Sequence, residues 1–378
     1  MASADPYRPI PHRSTFSRAL RSIVSPYYRY RHAKLFHSIR VGLAMLVSIL
    51  ATTGINIPHG IWSSVTLLVV IGGLQHHGNI RKKAAERAAG TLLGATIGLA
   101  LIVQQNVIGS LPLTYLLMCV VAGICAWFAI GKAGYIGLLT AITMCIVAGH
   151  GDNVIDTGLW RTLNVLIGIV IALAFSFAFP LHATYSWRYL LADNLRDVAR
   201  VYTRLIGGKR YDDAELIKVF LRLNARLVQL RSLMPSVAKE IEVPQSKLEE
   251  IQRMHRSLLS SLELLGTGTF AHADPRTRDT LERFCGTDVR AVRATLLATA
   301  RALRFGGTTH FSIPSTGPTC VPDPDELHRL DADLQGPYWL MQRLAEQTGR
   351  LRAQLFVTEL NWNIERQQRG WHRLHGES

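Results

Sequence analysis

Residues 78–103 read GNIRKKAAERAAGTLLGATIGLALIV, a basic stretch that passes without a break into an apolar, glycine-rich one. The first ten of these residues carry four positive charges and one negative charge, and the last sixteen carry none. Gly90, Gly94 and Gly98 recur every four residues, so on a helix they form one stripe that lets another helix approach closely. The stretch therefore predicts a membrane helix with a packing face, preceded by a charged segment.

The charge along the rest of the chain is unevenly distributed. Residues 36–180 contain only ten Lys, Arg, Asp or Glu, whereas residues 181–378 contain 28 Lys or Arg and 23 Asp or Glu. The first part is predicted to lie in a membrane and the second to be soluble. The net charge is +15, but the soluble part contributes only +5 (28 minus 23). We therefore interpret the excess as positive charge that orients a membrane protein, and predict no nucleic-acid partner.

Six apolar stretches follow a basic N-terminal segment, 1–35, and predict a six-span transmembrane domain over 36–180: roughly 39–57, 61–75, 84–104, 111–131, 133–149 and 158–180. A helix needs about 20 residues to cross the hydrocarbon, so the short second and fifth stretches are expected to extend into their flanks. Thirteen Lys or Arg fall on one side of the membrane, and the loops of the other side hold none. This pattern predicts a multi-pass protein of the bacterial inner membrane, with both termini cytoplasmic.

Residues 181–378 carry apolar residues at alternating spacings of four and three, for example Leu216, Phe220 and Leu223, then Leu227 and Leu230. This spacing is typical of long, packed helices and predicts an all-helical cytoplasmic domain. The stretch from Phe305 to Pro324, rich in Gly, Thr and Pro, is predicted to be a loop or linker. The fold class predicted for the chain is thus all-α.

Motifs for other chemistry are absent from the sequence. The five cysteines show no paired spacing, so neither a disulfide framework nor a metal site is expected. The chain lacks the phosphate-binding loop of ATP-driven pumps and any nucleophile–base spacing, so we predict no cofactor and no enzymatic activity. The predicted partner of the apolar half is membrane lipid.

An internal repeat is indicated within the membrane half. A shift of 74 residues aligns the second apolar stretch with the fifth and the third with the sixth, with ten identities in 41 positions. The pairs include Thr66 with Thr140, Arg87 with Arg161, and Gly94 with Gly168. Because each copy would contain three spans, the second copy would run upside down relative to the first. Such inverted repeats are common among transporters, which bind substrate at the repeat interface.

Two arginines in equivalent positions are the main candidates for substrate binding. Arg87 lies where the basic stretch meets the apolar one, and it would either snorkel to lipid phosphates or point into a pathway. Arg161 is the only basic residue predicted on the outer side, where positive charge is disfavoured. Thr66 and Thr140 would hydrogen-bond across helices or to a carboxylate. Trp62 would anchor at the membrane interface or line a path for an aromatic substrate.

The order IWSSVTLLVV…HHGNIRKKAAERAAGTLLGATIGLAL resembles the fusaric acid resistance family and the related aromatic acid exporters. Members typically show Trp-x-x-x-Thr, here Trp62 and Thr66, then Arg-x-x-Gly-Thr-x-x-Gly, here the segment from Arg87 to Gly94. The closing segment WRTLNVLIGIVIAL is similar to the family's last span, with Arg161 and Gly168. The chain also resembles the plant aluminium-activated malate channels, which share six spans followed by a helical domain.

The resemblance covers residues 36–180 and implies transport of aromatic or other carboxylic acids. Many bacterial members carry two membrane modules, whereas this chain has one, which implies either a homodimer or a simpler function; we predict the homodimer. We therefore predict efflux of organic anions across the inner membrane. A channel and a proton-driven exporter remain alternatives, as does a membrane scaffold that transports nothing and whose helical domain binds a partner.

Overall fold

A computed structural model describes residues 26–72, 77–131, 133–149, 155–178, 182–207, 212–267, 275–306 and 332–364. Within these ranges all regular structure is helical, so the predicted all-α fold is confirmed for the described residues. The chain divides into two compact units between His182 and Ala183. The first 25 residues, the loop at 150–154 and nearly all of the predicted linker lie outside the described residues.

The N-terminal unit contains seven described helices: α1 (Pro26–Arg31), α2 (Ala33–Gly54), α3 (Ile61–Ile71), α4 (His77–Ile108), α5 (Leu111–Ala129), α6 (Gly134–Ala148) and α7 (Ile155–Ala178). Among the described residues, four helical segments are long and apolar enough to cross a membrane. These are α2, α5, and most of α4 and α7. The other two apolar helices, α3 and α6, are shorter.

The two short helices differ from their sequence-based prediction. Helix α3 has 11 residues and α6 has 15, so they are about 16 Å and 22 Å long, whereas the hydrocarbon is about 30 Å thick. The expectation that they extend into their flanks is wrong at the described flanks. His59, two residues before α3, has a φ of 58°, and Gly149, just after α6, has a φ of 59°. A residue with positive φ cannot continue a right-handed helix, so α3 cannot extend back past His59 and α6 ends before Gly149.

The start of α4 also corrects the prediction. The apolar stretches 61–75 and 84–104 imply a loop between them at 75–84, but the chain is helical from His77 onward. The sequence contains no proline or glycine between Gly78 and Gly90 that would break the helix. Lys82 and Glu86, one turn apart, form a salt bridge of 3.6 Å that supports it. The basic stretch and the glycine stripe therefore belong to one continuous helix.

The two halves of the N-terminal unit that the 74-residue shift relates have equivalent helix contacts. The shift places α2 on α5, α3 on α6, and α4 on α7. Helix α4 packs on α6, and its equivalent α7 packs on α3. Likewise α2 contacts α3 and α7, while α5 contacts α6 and α4. Each short helix is therefore held by the long glycine-bearing helix of the other half.

The C-terminal unit contains six described helices: α8 (Ala183–Ile206), α9 (Asp213–Glu240), α10 (Gln245–Thr267), α11 (Pro275–Phe305), α12 (Ala332–Val357) and α13 (Glu359–Trp362). The apolar spacing noted above forms one continuous core, to which every one of these helices contributes. The carboxylate of Glu240 accepts 2.9 Å hydrogen bonds from the backbone N–H groups of Ala183 and Thr184. It therefore caps the first turn of α8.

A buried polar pair joins α8 and α10 inside this core. The side-chain amide of Asn194 donates to the Leu223 carbonyl at 3.2 Å and lies 3.1 Å from Nε2 of His255. Both residues are fully buried. Burial lowers the pKa of His255 to about 4, because a cationic imidazolium would lose its hydration. His255 is thus a neutral, hydrogen-bonded core residue.

Acidification is expected to destabilise the C-terminal unit through His255. In an unfolded chain a histidine has a pKa of about 6.5, above the value of about 4 in the folded unit. The unfolded chain therefore takes up the proton first. The stability conferred by the neutral ring is complete above about pH 6.5 and falls by about 3 kcal/mol as the pH drops toward 4.

Hydrogen exchange of α10, compared at about pH 7 and about pH 5, measures this effect. The variant His255→Gln, which cannot titrate, should lose much less protection on acidification than the wild type. His182→Gln, a change at a half-buried histidine just before α8, is the control and should behave as the wild type. Equal acid sensitivity in all three proteins would contradict the role of His255.

Candidate functional site

The glycine stripe of α4 lies directly against α6. A Cβ atom at Gly90 would lie 2.7 Å from Cβ of Leu139, and one at Gly98 would lie 2.8 Å from Cβ of Val147. At Gly94 it would meet the backbone carbonyl of Thr140 at 2.5 Å. Real Cβ contacts are never this short, so only glycine permits this approach.

The second half of the unit contains the equivalent contact. A Cβ atom at Gly168 on α7 would meet the backbone carbonyl of Ser63 and, at 3.0 Å, Cβ of Thr66 on α3. Gly94 and Gly168 are related by the 74-residue shift, and so are Thr140 and Thr66. The two contacts that hold the short helices are therefore the same contact in both halves.

Arg87 is held against α6 near the first turn of that helix. Its guanidinium lies close to the side chain of Tyr135. Arg87 is only 6% exposed, and its Nε has no hydrogen-bond partner among the described residues. A side chain that snorkels to lipid phosphates would be exposed at the edge of the unit, so the burial favours the alternative in which Arg87 faces the interior.

Arg161 contacts the other end of α6. Its Nη1 donates a short hydrogen bond to the carbonyl of Ile146, in the last turn of the helix. The side chain is half-buried, and its Nε is buried with no partner in the described parts of the chain. Tyr135 and Ile146 are separated by about 16 Å along α6, at ~1.5 Å per residue. The two arginines thus sit at opposite ends of the same short helix.

The two threonines occupy equivalent places but have different hydrogen bonds. Thr140 donates from its hydroxyl to the Ile136 carbonyl of its own helix at 2.9 Å. Thr66 is fully buried, and its hydroxyl has no partner within the described ranges. The same holds for Thr91, one turn after Arg87. Unpaired buried hydroxyls are costly, so they are candidates for binding a ligand or water.

Trp62 is half-buried and packs against an apolar cluster built from α2, α3, α4 and α7. This position is compatible with both predictions for Trp62, an anchor at the membrane interface and a lining of a path for an aromatic substrate. The prediction for Trp62 therefore stays open.

Sequence reasoning missed a buried cation at the beginning of α2. Arg40, counted there only as an orienting charge, is 2% exposed. Its Nη2 lies 2.9 Å from Nδ1 of His37, whose Nε2 lies 3.2 Å from the Gly72 carbonyl. The spacing of three between His37 and Arg40, which places both on one helix face, is the signal that would have indicated the pair.

A second group that the sequence did not reveal joins α2, α3 and α7. The Ser48 hydroxyl on α2 lies 3.0 Å from the hydroxyls of both Ser63 and Ser64 on α3. On α7, Asn164 is fully buried and donates at 2.8 Å to the carbonyl of Pro58, in the loop before α3. Polar side chains therefore line the contact between these three apolar helices.

Comparison with known proteins identifies the family. The model of the fusaric acid resistance protein family matches residues 34–371. The chain belongs to this family. The resemblance read from the sequence is thereby confirmed, and the chain is a membrane protein.

Two named relatives are similar to parts of the chain. The inner membrane protein YeeA of Escherichia coli (strain K12) is 36% identical over 235 residues, which cover 62% of this chain and 66% of YeeA. The p-hydroxybenzoic acid efflux pump subunit AaeB of Erwinia billingiae (strain Eb661) is 26% identical over 159 residues, covering 37% of this chain and 24% of AaeB. The chain thus spans slightly less than two thirds of the first relative and about a quarter of the second.

Proposed function

We propose that this protein transports organic anions, aromatic or other carboxylic acids, out of the cell across the inner membrane. The observation that carries the proposal is the placement of Arg87 and Arg161 at the two ends of α6, each with a buried, unpartnered Nε in the described structure. A guanidinium offers two parallel hydrogen bonds to a carboxylate. An anion would therefore meet a cation at each end of the helix.

The two short helices support a pathway between these cations. A pair of unusually short apolar helices in corresponding positions of two halves is a recognised mark of the binding region in transporters. Here α3 and α6 are that pair, and Thr66 and Thr140 lie on them in equivalent positions. The name of the relative AaeB, an efflux pump subunit for p-hydroxybenzoic acid, supports both the anion class and the direction.

The proposal includes six membrane helices, with α3 and α6 completing their crossing within the protein, and both termini in the cytoplasm. In a cysteine-free background, a cysteine placed at Ser3 or Ser378 is expected to be protected from an impermeant reagent in intact cells. A cysteine placed at Asn153 is expected to react, because the basic segments lie on the opposite side of the membrane and hold that side in the cytoplasm. Labelling in the opposite sense would contradict this orientation.

We also propose a homodimer, because a single unit of six helices has little room for an enclosed path. Membrane helices and long helices of the C-terminal unit would both contribute. The expected result is a dimeric mass in mild detergent and in nanodiscs, read by mass photometry. A monomeric mass in both environments would argue against it.

Transport is tested with purified protein in proteoliposomes loaded with benzoate, with and without a pH gradient. Flux that needs no gradient favours a channel, and flux only with the gradient favours proton coupling. Either result supports the proposal. Absence of flux under both conditions would overturn it in favour of the scaffold that binds a partner through its C-terminal unit.

A further inference from the structure

Asn164 on α7 is fully buried. Its amide NH₂ group is hydrogen-bonded, and its amide oxygen has no partner in the described structure. Its Nδ2 donates to two backbone carbonyls, those of Pro58 and Trp160, each at 2.8 Å. Its Oδ1 has no hydrogen-bond partner among the described residues. Leaving a buried acceptor unpaired is unfavourable. A hydrogen-bond donor on a ligand would satisfy it.

The orientation of this amide follows from its partners. Carbonyl oxygens can only accept hydrogen bonds, so the NH₂ group must face Pro58 and Trp160. Rotating the amide by half a turn would place Oδ1 against two carbonyl oxygens and would lose both bonds. The oxygen is therefore committed to the unpaired position.

A complementary donor lies one turn away on the same helix. Arg161 and Asn164 are three residues apart, so their Cβ atoms are about 5–6 Å from each other. The Nε–H of Arg161 is buried and unpaired in the described structure, while Nη1 is engaged by the Ile146 carbonyl. An unpaired donor and an unpaired acceptor thus lie on side chains one turn apart on the same helix.

We propose that Asn164 is a specificity-determining residue that selects carboxylates bearing a hydroxyl group. The carboxylate accepts a hydrogen bond from Nε–H of Arg161, and the hydroxyl of the same ligand donates to Oδ1 of Asn164. One ligand then satisfies both orphan groups. A carboxylate without a hydroxyl leaves the Asn164 oxygen unpaired, and a methyl ether brings only a second acceptor against it.

This inference rests on the proposed anion transport, and it is tested by ratios of flux within one preparation. Full-length protein in proteoliposomes is assayed with benzoate, 3- and 4-hydroxybenzoate, and the corresponding methoxybenzoates. Wild-type protein should transport at least one hydroxybenzoate with a KM roughly three- to tenfold lower than that of benzoate, the effect of one added hydrogen bond. The methoxybenzoates should show no such gain.

The variant Asn164→Leu, similar in volume, removes the acceptor. It also removes the tether to Pro58, so all fluxes are expected to fall. The decisive readout is that the ratio of hydroxybenzoate to benzoate KM should move to about one. Thr162→Val is the matched control on the same helix, because the Thr162 hydroxyl bonds only the Gly158 carbonyl of its own helix at 2.9 Å. It should keep the wild-type ratio.

Two results would overturn the inference while leaving anion transport intact. One is a wild-type protein that transports benzoate, hydroxybenzoates and methoxybenzoates with equal KM. The other is an Asn164→Leu variant that slows all substrates by one common factor, which would show that Asn164 only tethers the loop. If the variant fails to insert, the KM values of the wild type for hydroxybenzoates and methoxybenzoates still test the inference. Absence of flux of benzoate and of both hydroxybenzoates by the wild type would instead refute the proposed function itself.

Discussion

Replacing Arg161 or Arg87 with alanine is expected to lower anion flux in proteoliposomes by more than about tenfold, with normal expression and insertion. Each change removes the cation at one end of α6, and the anion then loses a charge-assisted hydrogen bond of about 1.5–3 kcal/mol. Lysine restores the charge but not the planar fork. Arg161→Lys and Arg87→Lys should therefore recover only part of the flux.

Lys82→Ala is the matched control, because Lys82 is an exposed cation on the same helix as Arg87 and is paired only at the surface with Glu86. It should transport as the wild type does. Full recovery by lysine at position 87, together with poor insertion of the alanine variant, would indicate that Arg87 serves membrane insertion. Equal losses in Arg87→Ala and Lys82→Ala would point to a general effect of surface charge.

Gly94→Leu is expected to prevent correct folding of the N-terminal unit. The new Cβ would collide with the Thr140 carbonyl and lie 2.7 Å from Cβ of Thr143. Backbone atoms cannot rotate away, so α4 and α6 must separate, at a cost above the ~1–3 kcal/mol of ordinary overpacking. Gly168→Leu should fail in the same way, because it meets the equivalent contact with Ser63 and Thr66 on α3.

Gly123→Leu provides the control, since a Cβ atom at Gly123 on α5 would meet nothing within 4 Å. Size-exclusion profiles of fluorescent fusions measure the outcome. We expect aggregated material for Gly94→Leu and Gly168→Leu, and a single symmetric peak for Gly123→Leu. A well-folded, transporting Gly94→Leu protein would contradict the close packing of α4 on α6.

The sequence was sufficient to predict features that depend on residue spacing and on charge density. The four-residue spacing of Gly90, Gly94 and Gly98 indicated a close helix contact, although it did not name α6 as the partner. The low charge density of residues 36–180 indicated the membrane half. In the other half, the spacing of leucines indicated the helical core.

Features that depend on single backbone angles or on tertiary contacts could not be predicted. The left-handed conformation of His59 shortens α3, and no residue type at that position signals it. Arg40 was counted as an orienting charge, because burial of a cation depends on the helices packed around it. Asn164 looks like any polar residue in a membrane helix until its bond to Pro58, 106 positions away, is known.

The central claim is that the N-terminal unit carries organic anions past Arg87 and Arg161. The most direct measurement compares benzoate flux through wild-type protein and through the double variant Arg87→Ala/Arg161→Ala, reconstituted at equal density and checked for insertion and oligomeric mass. We predict clear flux in the wild type and near-background flux in the double variant. Equal flux through a well-inserted double variant would contradict the account.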